Sequence, residues 1–392
     1  MSLKESEETQ TFVAKTLFGL EDVLAAELEE LGAQEVTTFT RAVRFEGDTE
    51  MMYRANLHLR TALRILLPIH SFQATDEKSL YGGMQELDWS EILKETDTLA
   101  IDAAVSSDYF NHSKYVTQLS KDAIVDQFRE KTGVRPSVDL DNPTVRLNIH
   151  IFQDEVTISL DSSGDSLHKR NYRTDTNIAP LNEVLAAGLV LLSEWNGKGN
   201  FIDPMCGSGT ILIEAAMLAL KMPPQTFRKN FGFKNWPDFD AELWERVLKE
   251  ADDAVLKEFP YEIIGSDISL RTIEIARDNI KNAGLEKFIK VEERRFEHTA
   301  PPEGGGTLVM NPPYGERITN VDIEMLYKQI GDIFKQKYKG YQAWMLTSNR
   351  EALKSVGLRP SRKIQLYNGP LECRFVRYDL YEGTKKVKKL EE

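Results

Sequence analysis

The sequence predicts an α/β protein, with a mostly parallel sheet in its last half closed by an antiparallel hairpin and smaller α+β units before it. Three stretches predict this. Phe201-Ile-Asp-Pro-Met-Cys-Gly-Ser-Gly-Thr-Ile-Leu-Ile-Glu-Ala-Ala216 reads as the end of a buried strand, a tight glycine turn and a helix start. Tyr261-Glu-Ile-Ile-Gly-Ser-Asp267 resumes the sheet and ends, like the first stretch, on an acid. Asn368-Gly369 between two alternating runs is a strong hairpin signal.

The chain has 392 residues, which at roughly 150 residues per domain gives two or three domains. A composition 41% hydrophobic and 28% charged is that of an ordinary soluble globular protein. No apolar run approaches the roughly 20 residues needed to span a bilayer. The polar, acidic stretch Met1 to Gln10 lacks the apolar core of a signal peptide, so the expected location is cytoplasmic. Cys206 and Cys373 are too few for a disulfide framework or a zinc site, and no metal is expected. The net charge of −13 argues against a protein that coats nucleic acid indiscriminately, while leaving room for a local basic groove.

In the first segment, Phe12 to about Pro68, an apolar run at Phe12 to Ala14 precedes a helix with Leu20, Val23, Leu24, Leu28 and Leu31 at three- and four-residue steps, stopped by Gly32. Alternation from Val36 to Phe45 predicts a half-buried strand, followed by a helix from about Thr49 to Thr61 and a strand at Ala62 to Ile69. That order suggests a ferredoxin-like unit over residues 1–70. Between Ser71 and Asp161, Leu99 to Val105 reads as a strand and Ser113 to Lys131 as a helix with Ile124, Val125 and Phe128 on one side. Val145 to Ile151 and Val156 to Leu160 read as a strand pair turning at Asp154. The cations Lys114, Lys121, Arg129, Lys131, Arg135 and Arg146 are diluted by Asp122, Asp126 and Glu130, which suits a solvated helix face as well as RNA contact.

Asp161 to Arg173 is polar and glycine-containing, as in a linker, then turns basic. His168, Lys169, Arg170 and Arg173 flank Tyr172, an arrangement that suits phosphate pairing and base stacking, with solvated linker charges as the alternative. Ile178 to Leu192 is a strongly apolar helix with Pro180 in its first turn. Lys221 to Pro237 carries four Lys or Arg, no acid, and Phe227, Phe231, Phe233 and Trp236. Such a segment is either an RNA contact, through Arg228, Lys229 and Lys234, or a cap packed on the catalytic domain. Asp267 lies 64 positions after Asp203, so this segment is inserted between two strands and is expected near the ligand's edge. Helices at Ala241 to Glu258 and Ser269 to Ala283, strands at Phe288 to Glu292 and Ala343 to Leu346, the hairpin Lys363 to Leu380 and a disordered lysine-rich tail, Lys385 to Lys389, complete the chain.

A glycine turn at the carboxyl edge of a parallel sheet is a ligand site, since the backbone can approach the ligand and the helix N-terminus offers unpaired N–H groups. The dinucleotide fingerprint is incomplete, because Leu212 stands where its third glycine belongs, and no Lys follows the glycines as in a phosphate loop. What remains resembles the S-adenosylmethionine loop of class I methyltransferases, in the Asp-Pro-x-x-Gly-Ser-Gly-Thr form of enzymes that methylate exocyclic amines. Thr307-Leu-Val-Met-Asn-Pro-Pro-Tyr-Gly-Glu-Arg-Ile318 is the second chemical motif. The lone pair of an exocyclic amine is delocalised into the ring. The Asn311 side-chain oxygen and the Pro312 carbonyl are placed to accept its two N–H groups and favour a pyramidal nitrogen. Pro312 and Pro313 stiffen the backbone, and Tyr314 can stack on an extruded base.

These motifs, with Gly19-Leu-Glu-Asp-Val-Leu, Lys121-Asp-Ala-Ile-Val-Asp, Arg135-Pro-Ser-Val-Asp, Leu167-His-Lys-Arg-Asn-Tyr-Arg173, the Ile178-Ala-Pro-Leu helix and Asn368-Gly-Pro-Leu-Glu-Cys373, resemble the bacterial THUMP-domain ribosomal-RNA guanine-N2 methyltransferases almost end to end. The resemblance implies a ferredoxin-like domain (1–70), an RNA-binding THUMP domain (71–163) and a Rossmann-like class I methyltransferase domain (164–392). It implies transfer of a methyl group from S-adenosylmethionine to guanine N2 in large-subunit rRNA. Asp203, Gly207 and Gly209 would surround the cofactor's methionine part, with Pro204, Met205, Ser208 and Thr210 beside them. Asp267 and Ile268 would meet its ribose, and Asn311, Pro312, Pro313 and Tyr314 the target base, while Lys169, Arg170, Arg173, Arg228, Lys229 and Lys234 would contact RNA. Similar enzymes carry an Asp at the cofactor's adenine where this chain has Arg294-Arg295-Phe296; Glu293, Glu297, or the backbone with Phe296 stacking are the substitutes. Competing readings are tRNA guanine-N2 methylation, DNA adenine-N6 methylation, and a catalytically passive RNA-binding assembly factor.

Overall fold

The computed structural model describes residues 9–173, 181–315 and 320–381. The amino-terminal stretch up to Glu8, residues Ile178 to Pro180 of the expected apolar helix, Glu316 to Ile318 of the second motif and the lysine-rich tail lie outside the described residues. The chain forms two compact units: residues up to Thr16 with Leu24–Lys169 and Arg228–Glu250, and Leu17–Val23 with Arg170–Phe227 and the residues from Ala251 on.

The first unit is built on one eight-stranded sheet: β1 (Gln10–Lys15), β2 (Gln34–Phe39), β3 (Ala42–Gly47), β4 (Arg64–Gln73), β5 (Thr98–Ser106), β6 (Ser137–Val138), β7 (Val145–Phe152) and β8 (Glu155–Asp161), in the order β2-β3-β1-β4-β8-β7-β5-β6. The alternation expected as a single strand from Val36 to Phe45 is a hairpin, β2 and β3, reversed at Arg41 with φ of 59°. No Gly or Pro marks that turn, so the pattern reads through it. β4 is the joint of the sheet. Its start, Arg64 to Leu66, pairs with β1, and Leu66 to Gln73 pairs with β8. The domain boundary expected after residue 70 therefore falls inside a strand.

Helices cover this sheet through apolar faces set at helical spacing. Ser113–Thr132 buries Val116, Ala123, Ile124 and Phe128, and ends at Gly133 with φ of 75°. Glu77–Gln85 starts on a reciprocal cap between Asp76 and Ser79.

The second unit holds a seven-stranded sheet: β9 (Asn200–Asp203), β10 (Ile263–Asp267), β11 (Ile289–Glu293), β12 (Gly306–Met310), β13 (Tyr341–Thr347), β14 (Arg362–Asn368) and β15 (Leu371–Asp379), in the order β11-β10-β9-β12-β13-β15-β14. The first five strands in that order are parallel, and β15 runs antiparallel to β13 and β14. The Asn368-Gly369 hairpin closes the sheet as expected.

Parallel neighbours need crossovers, here the helices Thr210–Ala219, Leu270–Asn282 and Asn320–Lys337. The last was not read from the sequence, although Ile323, Tyr327, Ile330 and Phe334 make a buried helical stripe against Met310, Met345 and Tyr378. This topology brings the carboxyl ends of β9, β10, β11 and β12 side by side, where ligands of open α/β sheets bind.

Candidate functional site: a cofactor cleft facing an amine-accepting loop

β9 is buried along its whole length and ends at Asp203. The turn after it is tied to β10: the Cys206 N–H donates to the Ser266 carbonyl at 2.9 Å and the Gly207 N–H to Asp267 Oδ2 at 3.1 Å. Two glycines are required for different reasons. Gly207 has φ of 53°, and a side-chain carbon there would meet no protein atom within 4 Å. Gly209 has φ of 81° and sits so close to the helix after β10 that a Cβ would lie 3.3 Å from that of Ala276.

A cavity of about 850 Å³ opens over this turn. Of the expected cofactor residues, Pro204, Met205, Gly207, Asp267, Ile268 and Asn311 line it, together with Pro312, Pro313 and Tyr314. Asp203, Ser208, Gly209 and Thr210 are not on its wall. Asp203 lies beneath the loop, 1% exposed, with Oδ1 accepting the Met205 N–H at 3.1 Å. Burial, reinforced by the charge of Asp267, pushes the Asp203 carboxyl up to about 8. Asp267 accepts the Ser269 N–H at 2.9 Å as well as that of Gly207, and its carboxylate keeps lone pairs for hydroxyl groups.

The Asn311-Pro-Pro-Tyr314 loop follows β12. The Tyr314 hydroxyl donates to Asn311 Oδ1 at 2.5 Å, and Asn349 Nδ2 donates to the Tyr314 carbonyl at 3.0 Å. The Tyr327 hydroxyl donates to the Pro313 carbonyl at 3.2 Å and meets Thr347 Oγ1 at 2.6 Å. Burial pushes the Tyr314 and Tyr327 hydroxyls well above the usual phenol range, so both remain donors. Asn349, Tyr327 and Thr347 were missed in the sequence. Their signal was a polar cluster, Thr347-Ser-Asn349, at the end of the strand next to β12. Asn368 to Leu371, read only as a hairpin, also line the cavity.

Matching family models extend along the whole chain: an RMKL-like, methyltransferase domain over residues 170–377, an RlmL ferredoxin-like domain over 11–66 and a THUMP domain over 74–161. The chain belongs to the RMKL-like methyltransferase family. The ribosomal RNA large subunit methyltransferase K/L of Syntrophotalea carbinolica is 42% identical over 95% of this chain, which spans 54% of that relative's length. The slr0064 protein of Synechocystis sp. is 37% identical, with 95% of this chain and 97% of that one covered. The crystal structure of SMU.472 complexed with SAH is 30% identical with a TM-score of 0.85, covering 96% of this chain and 100% of that one. The chain thus spans about half the length of the K/L relatives it matches.

The cofactor of this RMKL-like domain is S-adenosylmethionine, and the residues fit it. Gly207 leaves open space at the turn, Asp267 offers acceptors for ribose hydroxyls, and the buried carboxyl of Asp203 gains from an approaching cation. The cofactor supplies a methyl group on a positively charged sulfur. Asn311 and Pro312 line the same cavity as Gly207 and Asp267. Among the described residues no cluster of His, Cys, Asp and Glu could hold a metal ion, and no helix is long and apolar enough to cross a membrane.

The expected RNA contacts of the RMKL-like chain divide sharply. Arg170 is 1% exposed and Tyr172 fully buried; both meet Glu214, at 3.5 and 3.0 Å, inside the second unit. Arg173 pairs with Glu183 at 3.1 Å and donates to the Leu181 carbonyl at 2.6 Å and to Thr210 Oγ1. These cations brace the helix Thr210–Ala219 that follows the glycine turn, which corrects the reading of Arg170 and Tyr172 as an RNA surface. Arg228 is likewise buried, its guanidinium donating to the carbonyls of Ser163, Asp165, Ser166 and Asn230 at 2.7 to 3.1 Å.

Phe231, Phe233 and Trp236 are buried too, with the Phe233 ring tilted against Tyr53 at 4.5 Å and edge-on to Trp244 at 5.1 Å. From Arg228 on the insertion packs within the first unit, and none of Lys221 to Pro237 lines the cofactor cavity, against the expectation of a place at the ligand's edge. Lys169 and Lys229 stay exposed, while Lys234 donates to the Lys229 carbonyl at 2.8 Å and lies over the Phe231 and Trp244 rings.

Proposed function

We propose that this chain transfers a methyl group from S-adenosylmethionine to the exocyclic N2 of a guanine in large-subunit ribosomal RNA. The observation that carries the reading is the single cavity in which Gly207 and Asp267 face Asn311-Pro-Pro-Tyr314. A guanine N2 presents two N–H groups, the number of acceptors that Asn311 Oδ1 and the Pro312 carbonyl offer. Tyr314 supplies a ring on which an extruded base can stack, offsetting the stacking lost on extrusion. The THUMP domain is the part that would hold RNA, and the K/L relatives carry ribosomal RNA in their name.

The test is incubation with labelled S-adenosylmethionine and, separately, rRNA, tRNA and DNA from a strain lacking the gene, followed by nucleoside analysis. The expected product is N2-methylguanosine in large-subunit rRNA. N2-methylguanosine confined to tRNA would move the substrate, and N6-methyladenine in DNA alone would overturn the reading.

A further inference from the structure

The strand order sets how an extended nucleoside lies across the cleft. Asn311 follows β12, the glycine turn follows β9, Asp267 ends β10, and the turn from Arg294 to Thr299 follows β11. With the methyl group directed at Asn311 and the ribose at Asp267, the purine falls against the turn after β11, one strand spacing of about 4.8 Å further on. At that end the chain has Arg294 and Arg295, neither of which can accept a hydrogen bond from a purine amine.

We infer that Glu297 is the group that reads the exocyclic amine of the cofactor's purine, an inference that rests on the S-adenosylmethionine reading of the cavity. Among the described residues, Asp267 and Glu297 are the two carboxylates on the cavity wall, and Asp267 already takes the N–H groups of Gly207 and Ser269. Glu293 is not on that wall; it lines an adjoining depression with His298 that meets the cavity at Ile268, Arg294 and Arg295. Asn311 follows β12, three places from β11 in the sheet, and lies at the opposite end of the cleft. Phe296 is 5% exposed and packed 5.5 Å from Tyr338 and 6.0 Å from Phe334, so its ring belongs to the core and is not free to sandwich a base.

The turn that presents Glu297 is pinned at each residue. The Arg294 N–H donates to the Asp267 carbonyl at 2.9 Å, and the His298 N–H to the Arg295 carbonyl at 2.9 Å. Thr299 donates twice to the Phe296 carbonyl, at 3.1 Å from N–H and 2.8 Å from Oγ1, and Lys337 donates to the Glu297 carbonyl. With Phe296 directed into the core, the residues on either side of it stand on the cavity wall. Arg295 Nη1 lies 3.6 Å from Glu297 Oε1. Both side chains are largely exposed, so this loose pair leaves the carboxylate able to accept from an amine.

The experiment compares binding of S-adenosylhomocysteine with that of S-inosylhomocysteine, in which the amine is replaced by a carbonyl oxygen, by calorimetry on the full chain. A carboxylate facing a purine 6-oxo group is left without its hydrogen bond and repelled, so the unaltered protein should prefer the adenine ligand by on the order of 100-fold or more. Glu297→Gln presents an amide that donates to the 6-oxo group as readily as it accepts from the amine, and should shrink the preference to less than about 10-fold. Glu293→Gln should retain the preference in full. Unchanged discrimination in Glu297→Gln, or its loss in Glu293→Gln instead, overturns the assignment. Failure of the unaltered protein to bind S-adenosylhomocysteine at all would overturn the cofactor reading beneath it.

Discussion

The Tyr314 hydroxyl donates to the Asn311 side-chain oxygen at 2.5 Å, which leaves that oxygen a second lone pair. On the proposed function, the substrate amine takes it. The ring and the hydroxyl of Tyr314 therefore separate experimentally. Tyr314→Phe should leave the RNA KM within about threefold of the original and keep turnover. Tyr314→Ala should raise the KM by an amount equivalent to about 1–3 kcal/mol of lost base stacking. Asn311→Ala should abolish transfer while S-adenosylhomocysteine affinity measured by calorimetry stays within a few-fold. Loss of cofactor binding in that variant would show that Asn311 serves the cofactor and not the amine.

Asp203 makes the ligand-free protein sensitive to alkali. Its folded carboxyl titrates at about 8 against 3.8 when unperturbed, so folding takes up a proton between those values. Stability from this group is complete below about pH 4 and is lost as pH rises through 8, on the order of several kcal/mol. Thermal melts from pH 5 to 8.5 should show a falling Tm, and Asp203→Asn should flatten that slope while weakening S-adenosylmethionine binding. An unchanged slope in Asp203→Asn would assign the alkaline sensitivity to another group.

Arg170 and Glu214 are both fully buried. Removing one charge leaves the other uncompensated, which costs about 3–5 kcal/mol, whereas removing both together is far milder. Arg170→Met should lower the Tm by several degrees, and Arg170→Met with Glu214→Gln should recover more than half of the loss, the amide still accepting from Tyr172. Additive losses in the double variant would show that the two side chains act independently.

Arg228 and Lys229 are adjacent in sequence and opposite in expected effect. Arg228→Gln strips donors from four backbone carbonyls and should destabilise by about 2–4 kcal/mol in chemical denaturation. Lys229→Gln should leave stability within about 0.5 kcal/mol. If Lys229 meets a phosphate, the same change lowers the slope of log affinity against log salt by about 0.7 for single-stranded RNA. An unchanged slope would exclude it as an RNA contact.

The parallel half of the fold was legible because each element carried its own punctuation. Buried strands ended on Asp203 and Asp267, glycines stood at the turns, and Asn368-Gly369 marked the hairpin. The β2–β3 reversal was hidden because Arg41 takes a left-handed conformation that its side chain does not advertise. Cavity residues with a fixed local spacing, Gly207 and Asn311 to Tyr314, could be placed together from the sequence. Asn349 and Tyr327, which reach that loop from the end of β13 and from the helix Asn320–Lys337, depend on which elements become neighbours. The basic segments misled for a different reason. Composition reports charge but not burial, and Arg170 and Arg228 sit where several acceptors converge from distant residues.

The strand β4 pairs at one end with β1 and at the other with β8, so the ferredoxin-like and THUMP halves share a single hydrogen-bonded ladder. They are not separable cassettes. A chimera spliced at residue 70 would cut the β4–β8 register between the pairs of Leu66 to Pro68 and those of His70 to Gln73, and leave edge groups on both fragments without partners. A graft that respects the fold has to exchange the entire sheet, which makes the eight strands, and not either recognised domain, the unit that selection or an engineer can replace.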